Sequence, residues 1–250
     1  MDRLVYTTLS GLKSHMSAQA AIANNIANAS TIGFRQERVS FERLALRGSS
    51  GFDTRTPAAE EVRDADRRAG AVMQTARPLD VAVTSDSWMT VQATNGEEAY
   101  TRRGDLNVAL SGVLETGDGF PVMGLNGAPI TVPPHDKLMI ADDGTVSIVP
   151  RGAEGAAPPQ IIDRIKLVST EGSDTVKGLD NLLHVKGGGV LPQDMDAKVV
   201  SGSLEQSNVN LTEALVDMIE NQRSYEVQAN LLKEAKKMDE SAASLMRVQG

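Results

Sequence analysis

Apolar positions recur with helical spacing at the two ends of the chain, whereas the middle alternates with period two and is punctuated by glycine. From the first turn, Val5, Leu9, Leu12, Met16, Gln19, Ala23 and Ile26 step by four and three, six of the seven being apolar. The C-terminal stretch repeats the device with Leu211, Leu215, Met218, Gln222, Tyr225, Ala229, Leu232, Lys236, Asp239, Ala243 and Met246, eight of eleven apolar. A helix of about 25 residues is roughly 38 Å long and cannot cover its own stripe. The spacing therefore predicts two terminal helices that pack on each other or on copies in other subunits.

The first helix is expected over about residues 2–28, with acidic Asp2 near its start. Asn24, Asn25 and Asn28 are poor helix formers, and Gly33 is free to take a positive φ in the stop that follows. The last helix is expected to begin after Asn210, which has capping-box spacing to Glu213; Glu213, Asp217 and Glu220 lie early and Lys233, Lys236 and Lys237 late, in the sense the helix dipole favours. Between them the pattern predicts strands over 79–84, 88–93, 99–102, 106–110, 112–115, 121–123, 129–132, 138–141, 145–149, 161–169, 182–185 and 198–201. Turns are marked by Asn95-Gly96, Ser111-Gly112, Asp118-Gly119, Asn126-Gly127 and Asp143-Gly144. The fold class is α+β. Residues 1–34 and 203–250 make a discontinuous, coiled-coil-like helical domain and 78–202 a mainly antiparallel β domain. Residues 35–77 connect the two, extended or helical to about Leu46 and then a polar, mobile loop.

Composition narrows the chemistry. Hydrophobic residues make up 40% of the 250, enough for a core, but aromatics are only 3% and Trp88 is the single tryptophan, which argues against a deep aromatic-lined pocket. A net charge of -8 gives no footprint for nucleic acid or anionic lipid. The nine arginines of 35–77 face seven acids, a local balance of 9 − 7 = +2, which reads as a salt-bridged or subunit-facing surface. Without cysteine there is neither a disulfide nor a thiolate metal site. The opening residues lack the basic and apolar regions of a cleaved signal, and no run of 18 apolar residues occurs, so neither Sec export nor membrane insertion is expected.

His15, His135 and His184 fall in three separate elements. Asp118-Gly119 and Asp142-Asp143-Gly144 read as turns, lacking the alternating ligands and distal Glu of a calcium loop. Gly187-Gly188-Gly189 lacks the Lys-Ser or Lys-Thr sequel of a phosphate loop. No nucleophile, base and orienting group can be grouped, so no enzyme, cofactor or metal is expected.

One segment is more specific. Ile22-Ala23-Asn24-Asn25-Ile26-Ala27-Asn28-Ala29-Ser30-Thr31-Ile32-Gly33-Phe34-Arg35, with Ser10-Gly11-Leu12 before it, closely resembles the N-terminal signature of bacterial flagellar rod and hook proteins. Gly202-Ser203-Leu204-Glu205-Gln206-Ser207-Asn208-Val209-Asn210 and Met218-Ile219-Glu220-Asn221-Gln222-Arg223-Ser224-Tyr225-Glu226 resemble the C-terminal signature. Leu79 to Val83, Tyr100 to Gly104 and Gly112 to Val122 resemble the family's β domain. Ile32 departs from the polar residue that relatives often carry there.

The resemblance implies a structural subunit of the flagellar basal-body rod, the proximal rod in particular. The distal rod or the hook is the alternative within the family, and a coiled-coil adaptor with a β domain the alternative outside it. It further implies export unfolded through the flagellar type III apparatus, residence in the periplasmic rod, and other rod subunits and copies of itself as partners. Leu4, Val5 and Leu9 are candidates for export recognition as well as helix core. The implied assembly residues are Leu9, Leu12, Met16, Ala23, Asn24, Asn25, Ile26, Asn28, Gly33, Phe34, Leu215, Met218, Gln222, Tyr225 and Leu232. The three asparagine amides would either end the helix or bond across subunits, while Gly33 permits the turn and Phe34 anchors it.

Overall fold

The computed structural model describes residues 2–43, 58–152 and 158–248. The expected mobile loop from 48 lies, as far as Pro57, outside the described residues, as do the side chains of Leu4, Val5, Asp239, Ala243 and Met246. Chain contacts group into two compact units, one of residues 1–27, 37–63 and 210–250, the other of 28–36 and 64–209.

The first unit holds α1 (Asp2–Ala27), β1 (Glu37–Arg43), most of β2 (Ala58–Ala65) and α2 (Leu211–Val248); β1 and β2 form a two-stranded sheet. Both helices lie where the periodicity put them, and Asn210 caps α2, its Oδ1 accepting from the Thr212 and Glu213 amides at 3.1 and 3.4 Å. The helices pair antiparallel, Gly11 meeting Gln228 while His15 and Gln19 meet Asn221.

The second unit begins with β3 (Val72–Gln74), β4 (Val81–Val83), β5 (Ser87–Gln92), β6 (Glu98–Thr101), β7 (Leu106–Val108) and β8 (Leu114–Thr116). It continues with β9 (His135–Ile140), β10 (Thr145–Pro150), β11 (Gln160–Arg164), β12 (Leu167–Ser169), β13 (Thr175–Lys177), β14 (Leu183–Val185), β15 (Val199–Ser201) and β16 (Ser203–Glu205). Every registered pair is antiparallel. The largest sheet has the order β12-β5-β6-β14-β13, a second runs β11-β10-β9, and β7-β8, β15-β4 and β16-β3 are two-stranded.

Alternation along β5 and β6 separates two cores. Met89, Val91 and Ala99 join the main cluster with Leu106, Leu114, Val122, Ile148 and Ile165, whereas Trp88 and Tyr100 point to a smaller one with Val168, Leu183 and Leu191. The Tyr100 hydroxyl, fully buried, accepts from the Leu191 amide at 2.9 Å, so its polar end is satisfied. The five glycine turns anticipated at 96, 112, 119, 127 and 144 all take positive φ.

Several expectations need correction. Residues 161–169, read as one strand, are two: Ile165 and Lys166 turn their amides to Gly144 and Met123, and the chain leaves β11 in one sheet to enter β12 in another. Pro121 and Pro129, lacking a donor, leave 121–123 and 129–132 as isolated bridges rather than strands. The helical alternative for the segment before Leu46 does not form, since 37–43 is strand β1. β2, β3, β13 and β16 had no counterpart in the reading, because they are short, polar or both and carry too little alternation to register.

Candidate functional site

The helix pair of the first unit does not close on the stripes that the spacing picked out. Leu9 and Met16 are 55% and 62% exposed; Ala23, Leu215, Gln222 and Tyr225 are also exposed, while Leu12, Ile26, Met218 and Leu232 are half-buried. The residues of α2 that α1 covers best recur every seventh position: Ala214 and Ala235 are buried, Asn221 and Gln228 half-buried. The seam is made of small residues and amides. A Cβ on Gly11 would lie 2.5 Å from Gln228 Oε1, so glycine admits the longer side chain. Asn221 donates to His15 O at 2.9 Å and to Gln19 Oε1 at 2.7 Å, and the His15 Nδ1 proton bonds back to Asn221 Oδ1 at 2.7 Å. This seam leaves an aliphatic surface on α2. Leu211, Leu215, Val216, Ile219, Val227, Leu231 and Met238 are each 46–60% exposed, and at 3.6 residues per turn they spread over about half the helix circumference, away from the seam.

The asparagines at the end of α1 have a local task. Asn25 is buried and its amide acts as a strand edge: Nδ2 donates to Glu37 O at 2.9 Å and Oδ1 accepts from Glu37 N at 2.7 Å. Asn24 Nδ2 donates to Glu37 Oε2 at 2.8 Å. Both amides therefore join α1 to β1 within the chain. Replacing Asn25 with Ala removes both bonds from a buried backbone, and two such groups at 1–3 kcal/mol each predict a loss of about 2–4 kcal/mol. Hydrogen exchange should show it as lost protection in the last turn of α1 and in β1, with β5 and β6 unchanged; uniform protection would refute the clamp.

In the second unit, Asn28 Oδ1 accepts from the Thr31 hydroxyl at 3.1 Å and the chain turns at Gly33, whose φ is +66°. The Gly33 amide donates to Glu205 O at 2.7 Å. A Cβ here would stand 2.4 Å from the backbone of Arg102 and Arg103, which only glycine avoids. Phe34 is buried with Lys177 Nζ 3.4 Å from its ring centroid, and that ammonium donates to Arg35 O at 2.8 Å.

Beyond Phe34 lies a constellation that sequence reasoning missed. Arg35, Arg102 and Glu205 are almost wholly buried together: Glu205 Oε1 is 2.6 Å from Arg35 Nη2 and Oε2 is 3.2 Å from Arg102 Nη1. Both guanidinium carbons lie over Trp88, at 5.7 and 5.5 Å from its centroid. Further bonds run from Arg102 to Val83 O and Ser85 O, from Arg35 to Arg68 O, and from the Gly70 amide to Glu205 Oε1 at 2.8 Å. Burial lowers the pKa of Arg35 and brings that of Arg102 down to about 10, while the Glu205 carboxylate opposes the shift; both remain cations at neutral pH. Asn208 completes the knot, accepting from Gln36 N at 2.6 Å and donating to Asp66 O and Arg68 O at 3.2 and 2.8 Å. The one available signal was that Arg35, Arg102, Glu205 and Asn208 each sit in a segment that carried the family resemblance.

The remaining candidates are dispersed. His15 bonds Asn221, His135 bonds Pro133 O and His184 bonds Asp180, each on a different element. Asp143 Oδ1 and Oδ2 accept from the Thr145 amide and hydroxyl, which hold its pKa down, and Asp118 pairs with Arg103. Among the described residues no group of three or more His, Cys, Asp or Glu is placed to hold a metal ion.

Three family models match the chain: a flagella basal body rod protein model over residues 5–35, the D1 domain of flagellar hook protein FlgE/F/G over 82–148, and the C-terminal part of flagellar basal body rod FlgEFG protein over 200–245. The flagellar basal-body rod protein FlgF of Salmonella typhimurium is 39% identical over 241 residues, covering 93% of each chain. The chain belongs to the flagellar basal-body rod protein family. The FlgF of Escherichia coli is 38% identical over 240 residues, and the FlgG of Bacillus subtilis 29% over 272, covering 99% of this chain and 100% of that one. The likeness is thus to FlgF first, and the family's members are structural components of the flagellar rod, as this chain is. The three matched stretches contain Arg35, Arg102 and Glu205, one each.

Proposed function

We propose that this chain is a subunit of the proximal rod, built into the tubular shaft through α1 and α2, with copies of itself and related rod subunits as neighbours and the flagellar type III apparatus as its route of export. The observation that carries the reading is the aliphatic half of α2, together with exposed Leu9 and Met16 on α1. Seven half-exposed aliphatic side chains, worth about 1.5–3 kcal/mol each when fully covered, offer roughly 5–10 kcal/mol. Association costs about 4–15 kcal/mol, so contact with one neighbour is marginal and contact on several sides is needed. A subunit of this kind stays single in solution and joins a growing tube cooperatively. Leu9, Met16, Leu215 and Tyr225 suit contacts between subunits; Asn24, Asn25, Asn28, Gly33 and Phe34 shape the subunit itself. The test is deletion of the gene with complementation by a labelled chain, followed by electron microscopy of purified basal bodies. Loss of hook and filament, with label in the rod near its base, is expected. Label close to the hook moves the assignment to the distal rod, and motile, intact flagella in the deletion strain overturn it.

A further inference from the structure

The second unit is assembled from parts of the chain that emerge at very different times. Arg35 meets its counter-charge 205 − 35 = 170 residues later, and Arg102 meets the same carboxylate 103 residues later. Without Glu205, closing this unit would bury two guanidinium groups against one indole ring with no anion between them, and an uncompensated buried charge is among the most costly features a fold can carry. The same residue satisfies two amides, Gly70 through its carboxylate and Gly33 through its carbonyl. Around it the C-terminal segment adds two strands to early ones: β15 pairs with β4, β16 with β3, and Asn208 then ties 34–36 to 66–68.

We infer that Glu205 gates folding of the second unit: residues 28–36 and 64–198 stay open until the 199–209 segment arrives, and the unit closes as the carboxylate docks between Arg35 and Arg102. A chain delivered N-terminus first then remains unfolded until about four-fifths of it has emerged. Until that point it exposes no finished β unit that could block a narrow conduit. Arg35 and Arg102 hold the unit open before Glu205 docks, and they bind the C-terminal segment afterwards.

Trp88, the chain's single tryptophan, lies against both arginines and reports closure directly. The experiment is stopped-flow refolding and unfolding of the full chain in urea, followed by Trp88 fluorescence, for the native protein and Glu205→Gln. Glutamine keeps the shape and the acceptor for Gly70 but removes the charge. If docking is part of the folding barrier, the folding rate falls at least tenfold while the unfolding rate changes less than threefold. An unchanged folding rate, with the whole loss appearing as faster unfolding, overturns the gate and leaves Glu205 as a contact made after the barrier. Should Glu205→Gln fail to reach the native signal, Glu205→Asp, which keeps the charge on a shorter stem, is read by the same two rates and the same criterion.

Discussion

Replacing Gly33 with Ala is expected to unfold the second unit under conditions where the native chain is stable. Two costs add at this position. The residue holds φ at +66°, which costs an L-residue about 1–2 kcal/mol. Its new Cβ would also meet the Arg102 and Arg103 backbone at 2.4 Å, where no flexible side chain can give way. Separating those backbones would pull the Gly33 amide from Glu205 O and loosen the Arg35–Glu205–Arg102 cluster. A total above about 4 kcal/mol follows, in the range reserved for substitutions with an identifiable structural fault. Gly127→Ala is the matched control, since φ there is +71° but no atom stands within 4 Å of the new Cβ, and it should cost only about 1 kcal/mol. Urea unfolding followed by Trp88 fluorescence compares the two; equal midpoints would show that the close approach carries no weight.

Placing aspartates at Val227 and Leu231 should abolish the rod and leave the isolated subunit intact. Both side chains are more than half exposed on the side of α2 away from the seam, so the substitutions remove little buried area from the single chain. In an assembled tube the same positions would have to bury two carboxylates without partners, at several kcal/mol each. The expected result is a normal helix signal and thermal unfolding for the purified variant, normal amounts exported, and cells without hook or filament. Wild-type motility would show that this surface faces solvent in the assembly. A drop in the variant's own stability would show that α2 covers it within the chain.

The two terminal helices, the Asn210 cap, the glycine turns and most strands between 79 and 201 were legible in the order of residues. Each rests on a local rule: period, capping chemistry or tolerance of positive φ. The signature segments were equally plain as segments, and they led to the family before any contact was seen. Their purpose was not plain. Asn24 and Asn25 read as weak helix formers or cross-subunit donors, and only the approach of β1 turned them into a clamp on Glu37. The helix stripes were placed correctly on α1 and α2 but assigned to the wrong interface, because spacing counts apolar residues and takes no account of how closely two backbones can approach. Gly11, Ala214 and Ala235, with amides that satisfy one another, make the tighter seam.

Local order therefore determined which segments are helix, turn and strand, since those preferences act over a few residues. Tertiary structure alone decided which helix faces meet, where the chain passes from β11 to β12, and that Arg35, Arg102 and Glu205 share one buried site. The reason is physical: burial makes an ion pair or an amide matter, and burial depends on partners more than a hundred residues away, which no local pattern encodes.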